Sequence, residues 1–454
     1  MISVNSMFKI KNIKEHVAGK QGVIIIILLS FLLSLSYSFY FQIRPAVDAA
    51  AYDTIATNLA EGRGYRENPE LNIKDDYAIM RVGPLYELFL AVIYKIFGHH
   101  YELVWVAQAA IHAASVLLVY LICLSVFREQ GYKKKAALWA AAIFGFYPDL
   151  IEISAMLMSE TFYLFLFCLM LYLFFRSFNR DSAISVLLLG LATGLVILTR
   201  PPILFLIPIV IVYLYHRRKI RFIILFCSAL FLVLLPWTVR NYTVYHKIMP
   251  LSIAGAYNFW IGNHHGASGE QVQPPEALTF IEKNGISRLQ EESVKQTKNF
   301  IFNYPLEFVK LTALRINKYF SIIRPMGFWF YLSGWGQFLF LMSSALASII
   351  LFIFSFGGMF SSIKLKNKSA NYLLAFTIAT PLIIFLTVVE TRYRFQIYPL
   401  LAIFAGYFIV SLISAKDWWK NRIFQSATLI IILNGAIDLL LSIERFKERI
   451  GWFF

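Results

Sequence analysis

The chain has 454 residues, of which 59% are hydrophobic and 15% charged, with a mean hydropathy of +0.64. Soluble domains carry about 25% charged residues, so this composition excludes an ordinary soluble enzyme. A formal net charge of +16 would suit a nucleic-acid partner, but the basic residues lie in short clusters between apolar runs. That is the pattern of membrane orientation, with anionic lipid as a further contact.

The apolar residues come in unbroken runs, as at 22–40, 182–198, 339–355 and 397–414. Such runs mark membrane helices and not amphipathic stripes. The fold class expected is an all-α polytopic membrane protein with about eleven spans. They are predicted near residues 22–41, 101–127, 136–148, 155–175, 182–199, 202–216, 221–236, 337–361, 371–388, 396–414 and 424–442. The first run lacks a small-residue cleavage site and is read as a retained helix. Cys123, Cys168 and Cys227 all lie inside apolar runs, so neither a disulfide framework nor a metal site follows from them.

Alternate loops carry the basic residues: Lys9 to Lys20, Arg128 with Lys133 to Lys135, Arg176 and Arg180, Arg217 to Arg221, Lys364 to Lys368, and Lys416 to Arg422. The opposite loop around Pro148 has Asp149 and Glu152 and no Lys or Arg. This places the N-terminus in the cytoplasm and residues 1–21 there with it. An odd span count places the C-terminus outside, against the basic tail at Arg445, Lys447 and Arg449. Residues 22–236 form the first membrane block, with an outer loop at 42–100. Residues 237–336 form a large outer loop, and 337–454 the closing block. Within these loops 52–59, 85–97 and 305–320 have helical apolar spacing but cannot span, so interfacial helices are expected.

Ionisable residues gather at the outer edge. Asp48 directly follows the first span. A carboxylate there is a good helix N-cap, and equally a group placed to take a proton from a hydroxyl. Asp53 lies one turn on. Glu160 stands near the outer end of its span, where the alternatives are interfacial snorkelling and function. His264 and His265 are adjacent in the large loop, and neighbours on an extended chain point apart, so a shared metal is not expected. Asp75-Asp76 lies in a polar turn, and Asn241-Tyr242-Thr243 fits an N-glycosylation acceptor.

Several pieces of sequence recur in one order. Asp48 and Tyr52 precede Gly62-Arg63-Gly64-Tyr65. Next come Arg81-Val82-Gly83-Pro84-Leu85-Tyr86, then Tyr147-Pro148, Ser159-Glu160 and Leu198-Thr199-Arg200-Pro201. Pro236 to Tyr242 and Asn258 to Asn263 follow, and Glu390-Thr391-Arg392-Tyr393-Arg394 closes the set. Together they resemble the C-type glycosyltransferases of the protein O-mannosyltransferase and aminoarabinose transferase group, over roughly the first 400 residues. The resemblance implies a membrane enzyme that moves a sugar from a polyprenyl-phosphate donor, with inversion, to an acceptor at the outer face. That acceptor is a protein, a lipid or a glycan.

By that resemblance Asp48 is the base, Glu160 the second acid and Asp53 a further candidate. Arg81 is the first choice for the lipid phosphate, with Arg240, Arg392 and Arg394 beside it, because a guanidinium holds phosphate oxygens in pairs. Arg200, next to Pro201-Pro202, reads as a structural anchor. Family members often carry a second acid where Ala49 stands, and some hold a metal with an acid where Met80 stands. No cofactor is therefore expected, and a divalent metal is not supported. Two rivals use similar architecture. A flippase or transporter places its ionisable residues at mid-membrane, where this chain has almost none. A polyprenyl-linked glycan ligase or polymerase usually lacks an acid directly after the first span.

Overall fold

The computed structural model describes residues 4–81, 83–178, 182–216, 220–322, 331–415 and 417–443, apart from the side chains of residues 4–20. The expectations for Val82, Arg180, Arg217, Arg218, Lys219, Lys416, Arg445, Lys447 and Arg449 fall outside these residues. Helices run through the whole chain. The first half contains α1 (Val4–Phe41), α2 (Asp48–Ala60), α3 (Leu85–Phe97), α4 (Tyr101–Val126), α5 (Lys133–Gly145), α6 (Pro148–Ser154), α7 (Ser159–Ser177), α8 (Ala183–Thr199), α9 (Ile207–His216) and α10 (Ile220–Tyr245). The second contains α11 (Ala254–Gly262), α12 (Pro275–Asn284), α13 (Leu289–Asn303), α14 (Pro305–Tyr319), α15 (Gly334–Ile363), α16 (Lys368–Ala379), α17 (Leu382–Leu386), α18 (Tyr398–Ile413) and α19 (Arg422–Leu441).

Among the described residues, eight helical segments are long and apolar enough to cross a membrane, and α5 with α6 would make a ninth bent by 54°. Segments 183–199 and 201–216 are shorter apolar helices. All of these fall on the segments that the apolar runs predict. The bend is the main departure. Sequence suggests a short polar loop around Pro148, yet Pro148 starts α6, where a missing N–H costs nothing. Asp149 and Glu152 are then buried. Ser344 on α15 donates to Asp149, and Tyr331 donates to Glu152 at 3.1 Å. Hydroxyls from elsewhere in the fold thus satisfy carboxylates that composition alone would send to water.

At the centre of the bundle α18 is buried on nearly every face, packed on α5 and α15. Its all-round apolar sequence requires this. The tightest helix pair at the side is α8 on α10. Gly190 and Gly194, one turn apart on α8, face Phe226 and Ala229, and Leu230 and Val233, respectively. Any Cβ at Gly194 would sit 2.7 Å from Val233 Cβ. Small residues four apart let two membrane helices approach closely.

Both long loops gather at one end of the bundle and are folded. In the first, α2 lies against α3. Tyr65, Ile55, Ala78, Leu198 and Trp237 form a small core beneath them. The second has its own core, built on Ile253, Tyr257, Trp260 and Ile261 of α11 and its entry, with Ile286, Leu289 and Ile79. The helices expected at 85–97 and 305–320 are α3 and α14. The one expected at 52–59 starts earlier, at Asp48.

Glu87 is fully buried on α3, where the Tyr65 hydroxyl donates to Oε1 at 3.0 Å and Oε2 has no partner among the described residues. Burial pushes its carboxyl from the ordinary 4.5 up to about 8, with the backbone, Tyr65 and the charge of Arg81 pulling it back. The folded state therefore binds a proton that the unfolded chain releases, and stability from this site falls as pH rises through that range.

Two outcomes follow from this packing. Gly194→Leu should lower stability by about 1–3 kcal/mol through overpacking of α8 on α10, seen as a lower thermal midpoint in detergent. An unchanged midpoint would contradict the close approach. Glu87→Gln should gain stability relative to wild type progressively between pH 4.5 and 8 and level off above that. Denaturation of both proteins across the range checks the sign, and a pH-independent difference would refute it.

Candidate active site

The site is built where α2, α7, α8 and the 3-10 turn Thr391–Ile397 meet at the loop end of the bundle. Asp48 opens α2 as its first residue, with Val47 before it at φ 51°. A β-branched residue there is a genuine outlier, of the kind that persists only where the surroundings over-determine it. What fixes it is charge. Arg81 donates to Asp48 Oδ1 at 3.0 Å and Arg392 to Oδ2 at 2.6 Å. Burial alone would raise the Asp48 carboxyl, but Arg392, then Arg81 and Arg200, hold it below the ordinary carboxylate range. Asp48 is thus a permanently ionised group near neutral pH, with about a quarter of its side chain open to solvent.

Each arginine has a second acid. Arg81 is gripped by Glu67, with Nη2 at 2.8 Å from both carboxylate oxygens. Arg392 Nε donates to Glu390 Oε2 at 2.5 Å. The result is a chain of alternating charge, Glu67–Arg81–Asp48–Arg392–Glu390, drawn from segments more than 300 residues apart in sequence. Arg81 is placed by a short 3-10 turn, Tyr77–Met80, whose cap is Asp76. Asp76 accepts from the backbone N–H of Glu67, Asn68 and Ala78. Asp76 therefore shapes the loop that carries Arg81.

A second ion pair lies deeper. Glu160 begins α7 beside Ser159, and Arg200 ends α8, where Pro201 and Pro202 stop the helix and start a 3-10 turn. Arg200 Nη2 donates to Glu160 Oε1 at 2.5 Å, and the same guanidinium reaches Ser159 Oγ at 3.2 Å. Glu160 Oε2 is buried without a partner among the described residues. Glu160, Arg200 and Arg392 all line one cavity of 310 Å³. Its remaining wall is largely apolar, with Leu204, Phe205, Phe259, Ile383 and Ile384. Leu204 and Phe205 are themselves 37% and 46% exposed, at the rim beside the short apolar helices.

This placement sorts the residues expected from sequence. Glu160 and Arg392 are in the cavity wall. Asp48 and Arg81 are joined to it through Arg392 and are not part of the lining. Arg200, read from sequence as an anchor, is in the wall. The signal was its place in Leu198-Thr199-Arg200-Pro201, which matched the family pattern. Asp53 is elsewhere: Tyr94, His99 and Tyr101 converge on its carboxylate at 2.6, 2.9 and 2.8 Å, tying α2 to α3 and α4. Arg240 packs on the rings of Trp237, Tyr65 and Tyr245 and donates to Asn241 Oδ1 and Tyr65 O. Arg394 is buried and donates to the carbonyls of Ser321 and Tyr319. Neither is in the cavity wall.

Asn241 is fully buried and gives its amide N–H to Met249 O at 2.8 Å, so it is not an exposed glycosylation acceptor in this fold. Among the described residues, no three His, Cys, Asp or Glu side chains are grouped to hold a metal ion. At Asp48 both oxygens already face guanidiniums, which does not fit a divalent cation.

The far wall of the cavity is α11, whose Asn258 and Phe259 face in. Gly262 ends this helix against the Thr387 carbonyl, with no room for a Cβ. Asn263 Nδ2 then donates to Phe259 O and Leu386 O at 2.8 and 2.9 Å. Arg315 from α14 donates to Gly262 O and Asn263 Oδ1. The roof helix is thus pinned to the segment after α17.

Residues 81–239 match the family model described as dolichyl-phosphate-mannose-protein mannosyltransferase. No curated protein sequence matches the chain. Its fold is similar to that of the archaeal oligosaccharyltransferase AglB from Archaeoglobus fulgidus, in complex with an inhibitory peptide and a dolichol-phosphate. The TM-score is 0.54 at 15% identity, over 94% of this chain and 56% of that one. It is similar also to ArnT from Cupriavidus metallidurans bound to undecaprenyl phosphate, with a TM-score of 0.52 at 14% identity over 92% and 64%. The chain therefore spans between half and two thirds of the length of these proteins. Residues 81–239 thus resemble the dolichyl-phosphate-mannose-protein mannosyltransferase family, within a polytopic chain whose fold is similar to that of AglB and ArnT.

Proposed function

We propose that the protein is an inverting glycosyltransferase that moves a sugar from a polyprenyl-phosphate donor to an acceptor at the outer face of the plasma or inner membrane. In this reading it crosses the membrane eleven times, counting α5–α6 and the two shorter apolar helices. The N-terminus is cytoplasmic, as the basic loops require, and the loop end is outside. The observation that carries the reading is the cavity itself. One charged corner, Arg200 with Glu160 and Arg392, faces an otherwise apolar wall whose rim is exposed at Leu204 and Phe205. An amphiphile with one anionic head and a hydrocarbon tail has that shape. The solved proteins of this fold named above were bound to a dolichol-phosphate or an undecaprenyl phosphate.

The chemistry divides as follows. The acceptor oxygen or nitrogen attacks the anomeric carbon as the bond from that carbon to the phosphate oxygen breaks. The electron pair stays on the phosphate, and the acceptor proton passes to Asp48. Arg200 and Arg392 neutralise the charge that grows on the leaving phosphate, the kind of preorganised term that dominates such reactions. Arg81 keeps Asp48 ionised and oriented from the other side. Asp48 is a weak base in the ground state, and the departing proton is made acidic by its own bond formation. Proximity and orientation then matter more than basicity. Glu160 holds Arg200 toward the cavity and offers its unpartnered oxygen to a sugar hydroxyl. In this reading no divalent cation is required, since the positive charge it would supply comes from the arginines.

The charges that line the cavity, Glu160, Arg200 and Arg392, sit at helix ends and not at mid-membrane, where a transporter places its own. Transfer from radiolabelled polyprenyl-phosphate sugars should be lost by about 10²-fold or more in Asp48→Asn, the range of a general-base contribution, with undecaprenyl phosphate still bound. Arg392→Ala and Arg200→Ala should weaken binding of undecaprenyl phosphate itself. Wild-type transfer with equal rates in Asp48→Asn would remove Asp48 from the mechanism. Undiminished lipid binding in both arginine variants would overturn the assignment of the cavity.

A further inference from the structure

A second cleft of 240 Å³ also borders α11. It is bounded by Trp260 and Asn263 at the end of α11, His264 and His265 after it, Glu276 at the start of α12, and α13. The α13 wall is regular. Gln296, Asn299 and Asn303 all face the cleft at helical spacing, with Phe300 between them. Tyr304 closes the end, its ring 4.2 Å from that of His265 and tilted at 80°.

Most of the polar groups around the rim have set partners. Asn263 is committed to Phe259 and Leu386 carbonyls and to Arg315. His264 faces the carbonyls of His265 and Val272. His265 pairs with Glu307 at 3.2 Å, and Gln296 donates to Glu292 at 2.6 Å. Asn299, Asn303 and Glu276, by contrast, have no side-chain partner among the described residues, and all three line the cleft.

We propose that this cleft binds a neutral pyranose unit of the acceptor, so that the acceptor is a glycan. Amides carry donors and acceptors side by side, which matches vicinal hydroxyls, each of which both gives and takes a hydrogen bond. Glu276 adds an acceptor for a further hydroxyl. Tyr304 and Trp260 add aromatic rings to the lining, a surface suited to the C–H bonds of a pyranose. No Lys or Arg lines the cleft, so it offers nothing to a phosphate or a carboxylated ligand, and a peptide finds no strand edge to pair with. The position also fits. Asn258 and Phe259 of α11 face the catalytic cavity, while Trp260, on the same helix, faces the cleft. One helix therefore borders both the catalytic cavity and the cleft. The identification of the ligand as acceptor rests on the transferase reading. The cleft as a saccharide site does not.

The test uses the full-length protein in detergent and the methyl glycosides of glucose, mannose, galactose and N-acetylglucosamine, followed by saturation-transfer difference NMR. Undecaprenyl phosphate binding is measured on the same samples. At least one glycoside should bind the wild type, and Asn299→Ala combined with Asn303→Ala should weaken it roughly tenfold, as for two lost hydrogen bonds. Both positions are exposed, so the fold and the lipid binding should be unchanged. If no glycoside binds, or if binding is equal in the double variant, the cleft is not a saccharide site. If a short uncharged peptide binds there in preference to every sugar, the acceptor class is wrong. Failure of undecaprenyl phosphate to bind would count against the transferase reading and leave the sugar result to be judged alone.

Discussion

Ions at the edge of a membrane domain must be paired, and the pairing of Asp48 with two arginines organises the loop end of this molecule. Asp48 is held from one side by Arg81 and from the other by Arg392. Each arginine is in turn held by a glutamate, Glu67 or Glu390. The series joins three separate segments: the loop that carries Glu67 and Arg81, the start of α2, and the turn that carries Glu390 and Arg392. The first loop, the start of α2 and the turn before α18 are therefore fixed relative to each other by charge. Apolar packing alone would let those segments slide. Partly exposed pairs of this kind contribute little net stability, and a buried pair such as Glu160–Arg200 is weak evidence for stability too. Their consequence is geometric: they leave two guanidiniums facing one cavity.

Much of this was legible in the sequence, for reasons that can be stated residue by residue. The apolar runs gave the position of each membrane helix because hydrocarbon accepts no other backbone arrangement. The bend at Tyr147 was not visible. Composition treats Asp149 and Glu152 as loop residues, while their partners Ser344 and Tyr331 lie nearly 200 residues away. Site residues separated by the same logic. Glu160 and Arg392 could be picked out because they stand in Ser159-Glu160 and Glu390-Thr391-Arg392-Tyr393-Arg394, two of the pieces that resemble the family pattern. Arg240 looked equivalent by that criterion, yet three aromatic rings occupy it. Asp53 stayed a secondary candidate behind Asp48, and only the fold shows Tyr94, His99 and Tyr101 brought to it. Arg200 was undervalued because the two prolines beside it gave a sufficient local reason for its presence.

One helix relates the two cavities. α11 turns Asn258 and Phe259 toward the charged cavity and Trp260 toward the cleft, so a shift of α11 would alter both. Its C-terminal end is the best-anchored part of the loop domain. Gly262 abuts the Thr387 carbonyl, Arg315 ties down the last carbonyl, and Asn263 bridges to Leu386. The start of the same helix is held more lightly, by the Ile253 N–H donated to Ile79 O at 3.3 Å. Gly255 has open space where a Cβ would be. The wall of the cavity is thus firm at one end and adaptable at the other, an arrangement suited to admitting a bulky head group beneath a fixed roof.

Because the cavity arginines already have carboxylate partners, a phosphate would enter by exchange and not by filling an empty positive site. The exchange sets a bias between the two ends of the proposed reaction. A sugar-linked polyprenyl phosphate is a diester bearing one negative charge, which competes poorly with Glu160 and Glu390 for guanidinium donors. The leaving polyprenyl phosphate is a monoester carrying about −1.5 to −2 at neutral pH, with three strong acceptor oxygens. It competes well. Interactions that strengthen as charge develops act on the transition state more than on the bound donor, which is the condition for raising the chemical rate. The same preference holds the spent lipid, so the apolar rim at Leu204 and Phe205, which favours the hydrocarbon tail without regard to charge, is the part of the cavity that gives product a route back to the bilayer.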